Sequence, residues 1–161
     1  RQGVQGICDL ITMPGLIKAL GVLCVIGIYA QVVLGTLVTH LGIRVDAHLG
    51  VAGAISLGVI VLGSRVVRAR AEWPELVWPM ETLRLLWLAQ LLIGAGAYVG
   101  KFHAAELPLG PAMELALPVA HRLIAGAMLV AALTIVLRLF RRTGWCEAAP
   151  RSERASTRVT A

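Results

Sequence analysis

Residues 16–40 read LIKALGVLCVIGIYAQVVLGTLVTH, an apolar run broken only by a lysine near its start and polar residues near its end. An α-helix needs about 20 mainly apolar residues to cross the hydrocarbon core of a bilayer. The run is too long for the apolar part of a signal peptide, and no small-residue cleavage site follows it. We therefore expect residues 16–40 to form a membrane-spanning helix.

Three more stretches have the same character, at residues 47–67, 82–103 and 119–140. Hydrophobic residues make up 58% of the chain and charged residues 15%, which differs from an ordinary soluble domain. Because backbone polar groups in lipid must be satisfied internally, we predict an all-α, integral membrane four-helix bundle over residues 16–140. Residues 1–15 form an N-terminal segment in this scheme, and residues 141–161 a tail expected to be disordered.

The distribution of charge predicts how the chain lies in the membrane. All but three of the 15 lysines and arginines fall in the N-terminal segment, around the connection between the second and third helices, or in the tail. The positive-inside rule then places both termini in the cytoplasm of a cell-membrane protein. Trp73, Trp78, Trp87 and Trp145 are expected at that same inner boundary. The net charge of +6 is explained by this topology, so no nucleic-acid partner is expected.

The four helices repeat a pattern in pairs. AQVVLG at residues 30–35 corresponds to AQLLIG at 89–94, and AHLGVAGA at 47–54 corresponds to AHRLIAGA at 120–127. A duplicated helix hairpin with twofold pseudosymmetry along the membrane normal explains both correspondences. Symmetry then places His48 and His121 at the same depth, facing inward.

All four histidines fall at the predicted outer face: His40, His48, His103 and His121. A single histidine at a helix end is often only an interfacial side chain, but ionisable groups within spans are costly and are candidates for function. Two imidazoles facing each other across a bundle suit the axial positions of a heme iron. Ala52 and Ala125 lie one turn along from the paired histidines and would leave room for a flat ligand.

Other small or polar residues have a simpler interpretation. The glycines and alanines, such as the ridges Gly50, Ala54, Gly58 and Gly96, Gly100, would equally allow close packing of helices. Gln31 and Gln90 suit interhelical hydrogen bonding better than ligand contact. The three cysteines form no CxxC motif, which disfavours disulfide exchange.

With its QxxxG helices, its histidine-led second and fourth helices and the His-Arg pair at 121–122, the chain resembles heme A synthase. That family is built from two similar four-helix halves, and residues 16–140 resemble one half. The resemblance implies oxidation of the heme O methyl group to a formyl group, with His48 and His121 as ligands of heme b and heme O as substrate. It also implies heme O synthase and terminal-oxidase assembly as partners.

The chain departs from the family pattern at the expected acidic position, which is Pro118 before His121 and Val45 before His48. The remaining outer carboxylates give Glu114 and Glu106 as candidate catalytic residues; Glu114 reaches the site only if the helix continues through Pro118. Arg44 and Arg122 could pair with heme propionates, or instead extend to lipid phosphates. His40 and His103 are weaker candidates for the iron.

Three functions are open at this point: a compact heme A synthase, a bis-histidine membrane cytochrome b that only transfers electrons, and a subunit that handles protons or metals. A half-length chain with one histidine pair also predicts a homo-oligomer in contact with membrane lipid, with about one heme per chain.

Overall fold

The computed structural model describes residues 13–103 and 110–143. It contains four helices: α1 (Met13–Leu41), α2 (Val45–Arg68), α3 (Pro74–Phe102) and α4 (Pro111–Thr143). Each is long and apolar enough to cross a membrane, as a multi-pass membrane protein requires. The predicted all-α four-helix bundle is confirmed, and the described residues contain no strand.

Two helices begin about two turns earlier than the sequence predicts. Helix α3 begins at Pro74 and α4 at Pro111, where a proline costs nothing because the first N–H groups of a helix have no intrahelical acceptor. Helix α4 also runs through Pro118. A proline inside a membrane helix is tolerated where its surroundings satisfy the freed carbonyl. Residues 111–118 are therefore helical, and Glu114 lies two turns before His121 on the same helix.

A tight turn connects α1 to α2. Gly42 and Arg44 both have left-handed backbone conformations, with φ of 68° and 65°. Glycine adopts this conformation freely, whereas arginine rarely does. The Arg44 carbonyl accepts a hydrogen bond from the His48 backbone N–H at 3.0 Å. The turn therefore fixes where α2 begins, and with it the position of His48.

The helices form a ring in which each packs against two neighbours, in the order α1, α2, α3, α4. The pairs α1/α3 and α2/α4 lie on the two diagonals. This arrangement agrees with twofold pseudosymmetry, because the duplication relates α1 to α3 and α2 to α4. Residues from α2 and α4 can therefore face each other only across the middle of the bundle.

Packing is concentrated at one end of the bundle, called here the core end, where α1 begins, α4 ends and residues 69–73 connect α2 to α3. Leu62, Leu76, Leu83, Ile135 and Leu139 are fully buried there. Glu75 accepts a hydrogen bond from Arg142 at 2.7 Å, which joins α3 to α4 at the same end. The opposite end, called here the histidine end, lacks such a core and encloses a cavity.

Candidate functional site

The cavity at the histidine end has a volume of about 940 Å³ and receives residues from all four helices. Ligand pockets are typically about 300–1,000 Å³, so this one lies in the upper part of that range. Buried Ile28, Ile55 and Met128 line its deepest part, next to the core. Since the core end is closed, the cavity is reached from the histidine end or from between the helices.

His48 of α2 and His121 of α4 both line this cavity, and their ring centres lie 6.4 Å apart at an interplanar angle of 58°. A metal–imidazole bond is about 2 Å long and a ring nitrogen lies about 1 Å from the ring centre, so rings binding one metal from opposite sides have centres about 6 Å apart. The spacing of the two imidazoles therefore suits a single metal ion between them.

The glycines of the QxxxG repeat make room for these rings. A Cβ at Gly94 of α3 would lie 2.8 Å from His121 Cε1, closer than van der Waals contact allows. A Cβ at Gly35 of α1 would lie 3.5 Å from His48 Cε1. Each glycine thus lies against the histidine of the next helix, and the two halves of the duplication pack alike.

The glutamines of the same repeat lie at the cavity with the histidines. Gln90 Nε2 is 3.1 Å from His121 Nε2, so one imidazole nitrogen is held by the amide. His121 Nδ1 is buried without a hydrogen-bond partner among the described residues. Metal-ligating histidines share this division, with one nitrogen held by a neighbouring group and the other free for the metal.

Four buried side-chain atoms in the described ranges lack hydrogen-bond partners, and they belong to the repeated pairs: Gln31 Oε1, His48 Nδ1, Gln90 Oε1 and His121 Nδ1. All four residues line the one cavity. Leaving a buried polar group unpaired costs about 1–3 kcal/mol, so such groups need an explanation. A bound ligand with a metal centre would give these polar atoms the partners that they lack in the otherwise apolar cavity.

The structure brings together most of the site residues predicted from the sequence. Ala52, Ala125, Arg122 and Glu114 line the cavity with the histidine pair. Glu114 and Arg122 are also exposed, which places them at its rim. Of the two glutamines predicted to form interhelical hydrogen bonds, Gln90 lies within hydrogen-bonding distance of His121, whereas the Oε1 of Gln31 has no partner among the described residues. Both glutamines line the cavity.

Other predicted residues lie elsewhere. Arg44 is exposed at the turn before α2, outside the cavity lining. His40 is exposed in the last turn of α1, and His103 is the exposed C-cap of α3, where its ring packs on Tyr98 with centres 5.7 Å apart. Neither histidine lines the cavity. Glu106 lies outside the described residues.

Two features of the cavity were not predicted. Lys101 of α3 lines it, and its Nζ donates a hydrogen bond of 2.7 Å to the Thr39 carbonyl of α1. Because α1 and α3 are diagonal, this side chain crosses the cavity mouth. One feature of the sequence could have indicated that Lys101 lines the cavity: it follows Gln90 by eleven residues on a helix that faces the cavity.

Trp87 is the second unexpected residue. The prediction placed it at the inner membrane boundary, but α3 begins at Pro74, so Trp87 lies near the middle of the helix and lines the cavity. Its indole Nε1 donates a hydrogen bond of 3.0 Å to Ser56 Oγ, and Ser56 Oγ donates to the Ala52 carbonyl. This chain of hydrogen bonds joins α3 to α2 below the histidines.

The residues at the cavity fit a heme. Two imidazoles have the required spacing, Ala52 and Ala125 are small residues of the same lining, and Lys101 and Arg122 are cationic side chains at the cavity. The described residues hold no group of three or more histidines, cysteines or acids suited to a bare metal ion. Two histidines suit a metal whose other ligands come from a macrocycle.

No protein-family model, curated protein or solved structure matches this chain. The resemblance to heme A synthase thus rests on the motif residues and stays a prediction.

Proposed function

We propose that the chain is a membrane heme protein in which His48 and His121 ligate one heme b or heme O from opposite sides. The observation that carries this proposal is the pair of inward-facing imidazoles with ring centres 6.4 Å apart, set in a cavity that also holds four unpaired polar atoms. Each histidine packs against a glycine of a neighbouring helix, Gly35 for His48 and Gly94 for His121, so the pair is held before any ligand arrives.

For the reaction, we propose that the chain converts the heme O methyl group to a formyl group, as the resemblance to heme A synthase implies. The conversion takes up one water, releases four protons and passes four electrons to dioxygen as the external oxidant. The heme would supply the redox-active iron. Lys101 and Arg122 would hold the propionates by charge-assisted hydrogen bonds at the rim. Glu114 lines the same cavity, because α4 continues through Pro118, and its carboxylate would accept a proton released near the methyl group.

A second candidate function has its own support. With histidines on both sides of the iron, no coordination position is left open for oxygen or substrate. This arrangement is typical of cytochromes that only transfer electrons. The same histidine pair therefore supports a bis-histidine membrane cytochrome b as the alternative.

One experiment tests both the proposed heme binding and the proposed oxidation of heme O. The chain is co-expressed with a heme O synthase, and its pigments are extracted and separated by chromatography. Heme A, or the hydroxylated heme between O and A, supports the synthase; heme b or heme O alone supports the electron carrier. Purified protein that takes up no heme, even after heme supplementation, would contradict both. The Glu114→Gln variant should keep its heme and lose the oxidised product.

We also propose that the chain forms a homo-oligomer. The heme A synthases that it resembles use two four-helix halves for the reaction, whereas this chain has one bundle with one histidine pair. Gly58 and Gly96 are used within the bundle, where added Cβ atoms would lie 3.1 Å from Cys24 Sγ and Leu117 Cδ1. Gly50 and Gly53 have open space around them and could receive a second copy. Mass measurement in nanodiscs with heme quantification decides it, and an active monomer refutes it.

For the topology, we propose that both termini lie in the cytoplasm and that the histidine end faces outward across the cell membrane. The support is the concentration of lysines and arginines at the core end. Labelling a cysteine placed in the turn before α2 with a membrane-impermeant reagent in whole cells tests this orientation.

A further inference from the structure

A second, smaller groove lies between α2 and α3 toward the core end, with a volume of about 380 Å³. Its lining includes Val59, Ile60, Gly63, Arg68, Arg84 and Trp87. Trp87 also lines the histidine cavity, so its indole separates the two spaces. The groove has its own set of residues, none of which the proposed heme site requires as a ligand.

One end of the groove is cationic. Arg68 is the last residue of α2 and is exposed, and it makes no hydrogen bond or ion pair within the described ranges. Arg84 of α3 lines the same groove, and its Nη1 donates a hydrogen bond of 3.0 Å to Glu81. Since a guanidinium carries five N–H donors, most of those on Arg84 stay available. Arg68, Arg84 and Glu81 together carry a net charge of +1, which matches the single negative charge of one phosphodiester.

Gly63 allows Arg84 to lie close to α2. A Cβ at Gly63 would be 3.3 Å from Arg84 Cδ and 3.4 Å from Met80 Cε, tighter than most side-chain contacts. The aliphatic part of Arg84 therefore packs against the α2 backbone while the residue lines the groove. This contact brings the two arginines onto the same groove from different helices.

The other end of the groove is apolar. Ile60 and Trp87 line it above the fully buried Val59, and Ile60 is 54% exposed at what would be the lipid-facing surface. From Val59 to Arg68 the helix rises about 14 Å. The cationic end of the groove, at the helix terminus, suits a phosphate. The apolar end, toward mid-membrane, suits the upper part of an acyl chain, and the length of the groove fits the two together.

We propose that this groove binds one anionic phospholipid, with its phosphate between Arg68 and Arg84 and an acyl chain along Ile60 against Trp87. Arginine suits the phosphate because its planar guanidinium can donate two parallel hydrogen bonds. The bilayer around the protein supplies this ligand. The inference does not depend on the heme proposal, since it uses a different groove.

Trp87 provides the test. The full-length, heme-free chain in detergent is titrated with phosphatidylglycerol or phosphatidylcholine carrying brominated acyl chains, which quench tryptophan on contact. The difference between the unsubstituted chain and Trp87→Phe isolates the signal of Trp87. We expect phosphatidylglycerol to quench it at about tenfold lower concentration than phosphatidylcholine.

Matched arginine variants locate the effect. Arg68→Gln and Arg84→Gln should each lose most of the preference for phosphatidylglycerol, while Arg141→Gln, an exposed arginine at the same end outside the groove, should keep it. Arg68 has no described partner, so its substitution leaves the fold intact, as helix content by circular dichroism will verify. Equal quenching by the two lipids, or an equal loss in Arg141→Gln, would overturn the proposal.

Discussion

The imidazoles of His48 and His121 approach to 6.4 Å between ring centres although their helices, α2 and α4, do not pack against each other. At the histidine end, these two side chains approach each other across the middle of the bundle. Two imidazole rings gain little from each other at this distance, and their Nδ1 atoms are buried without partners among the described residues. This approach is the observation behind the proposal that the two rings ligate one heme.

Replacing either histidine of this pair by alanine removes one of the two proposed iron bonds. We expect His48→Ala and His121→Ala each to abolish the low-spin heme spectrum, read from the Soret and α bands of the purified protein. His40→Ala and His103→Ala serve as controls, since both side chains are exposed outside the cavity, and should retain it. Loss of the spectrum in His40→Ala but not in His48→Ala would refute the ligand assignment.

The glycines facing the histidines give a graded prediction. Gly94→Ala places a Cβ 2.8 Å from His121 Cε1, so the ring must move, at a cost of about 1–3 kcal/mol typical of overpacking. Gly35→Ala should be milder, because its Cβ would lie 3.5 Å from His48 Cε1. Gly126→Ala, with open space around it, should leave heme affinity unchanged. Heme titration followed by absorbance ranks the three, and equal losses in Gly94→Ala and Gly126→Ala would contradict the packing argument.

Gln31 is expected to reduce the stability of the heme-free chain. Its Oε1 is buried without a partner, so Gln31→Leu should raise the stability of the heme-free chain by about 1 kcal/mol while lowering heme affinity. Gln90→Leu should stabilise less, since it also removes the amide 3.1 Å from His121 Nε2. Thermal unfolding of both heme-free variants in detergent provides the comparison. A heme-free Gln31→Leu chain that melts lower than the unsubstituted chain would show that this glutamine is satisfied.

Lys101 should control entry into the cavity. Its bond to the Thr39 carbonyl joins diagonal helices at the histidine end, and it must break if a large flat ligand enters from that end. We expect Lys101→Met to speed heme association and also to speed dissociation, because it loses a cation for the propionates. Stopped-flow absorbance measures both rates, and Lys18→Met, at the core end, is the control. Unchanged association would mean that heme enters between the helices instead.

The sequence predicts the helices and the histidine pair because apolar length and internal repetition are local signals. It could not predict that α3 and α4 begin two turns earlier, since the segments 74–81 and 111–118 contain prolines and acids that lower their hydropathy. For the same reason Trp87 was placed at the boundary rather than at the cavity. The contact of Lys101 with Thr39 joins diagonal helices and depends on the ring order, which no local pattern specifies.

Unequal packing along the bundle leads to the last prediction. Leu62 is fully buried at the core end, so Leu62→Ala loses its packing contacts and leaves a cavity, at a cost of about 2–5 kcal/mol in unfolding free energy. In a membrane, a leucine that leaves the core enters lipid rather than water, so its burial gains little from the hydrophobic effect. The loss of stability in Leu62→Ala therefore arises mainly from lost packing and falls toward the lower part of that range. Leu123 on α4 is 70% exposed, and Leu123→Ala should cost less than about 0.5 kcal/mol. Both variants should retain the heme spectrum, since neither residue lines the histidine cavity. Unfolding of the heme-free proteins in mixed micelles of increasing SDS content measures the difference, and equal destabilisation by the two substitutions would show that the core end does not hold the bundle together.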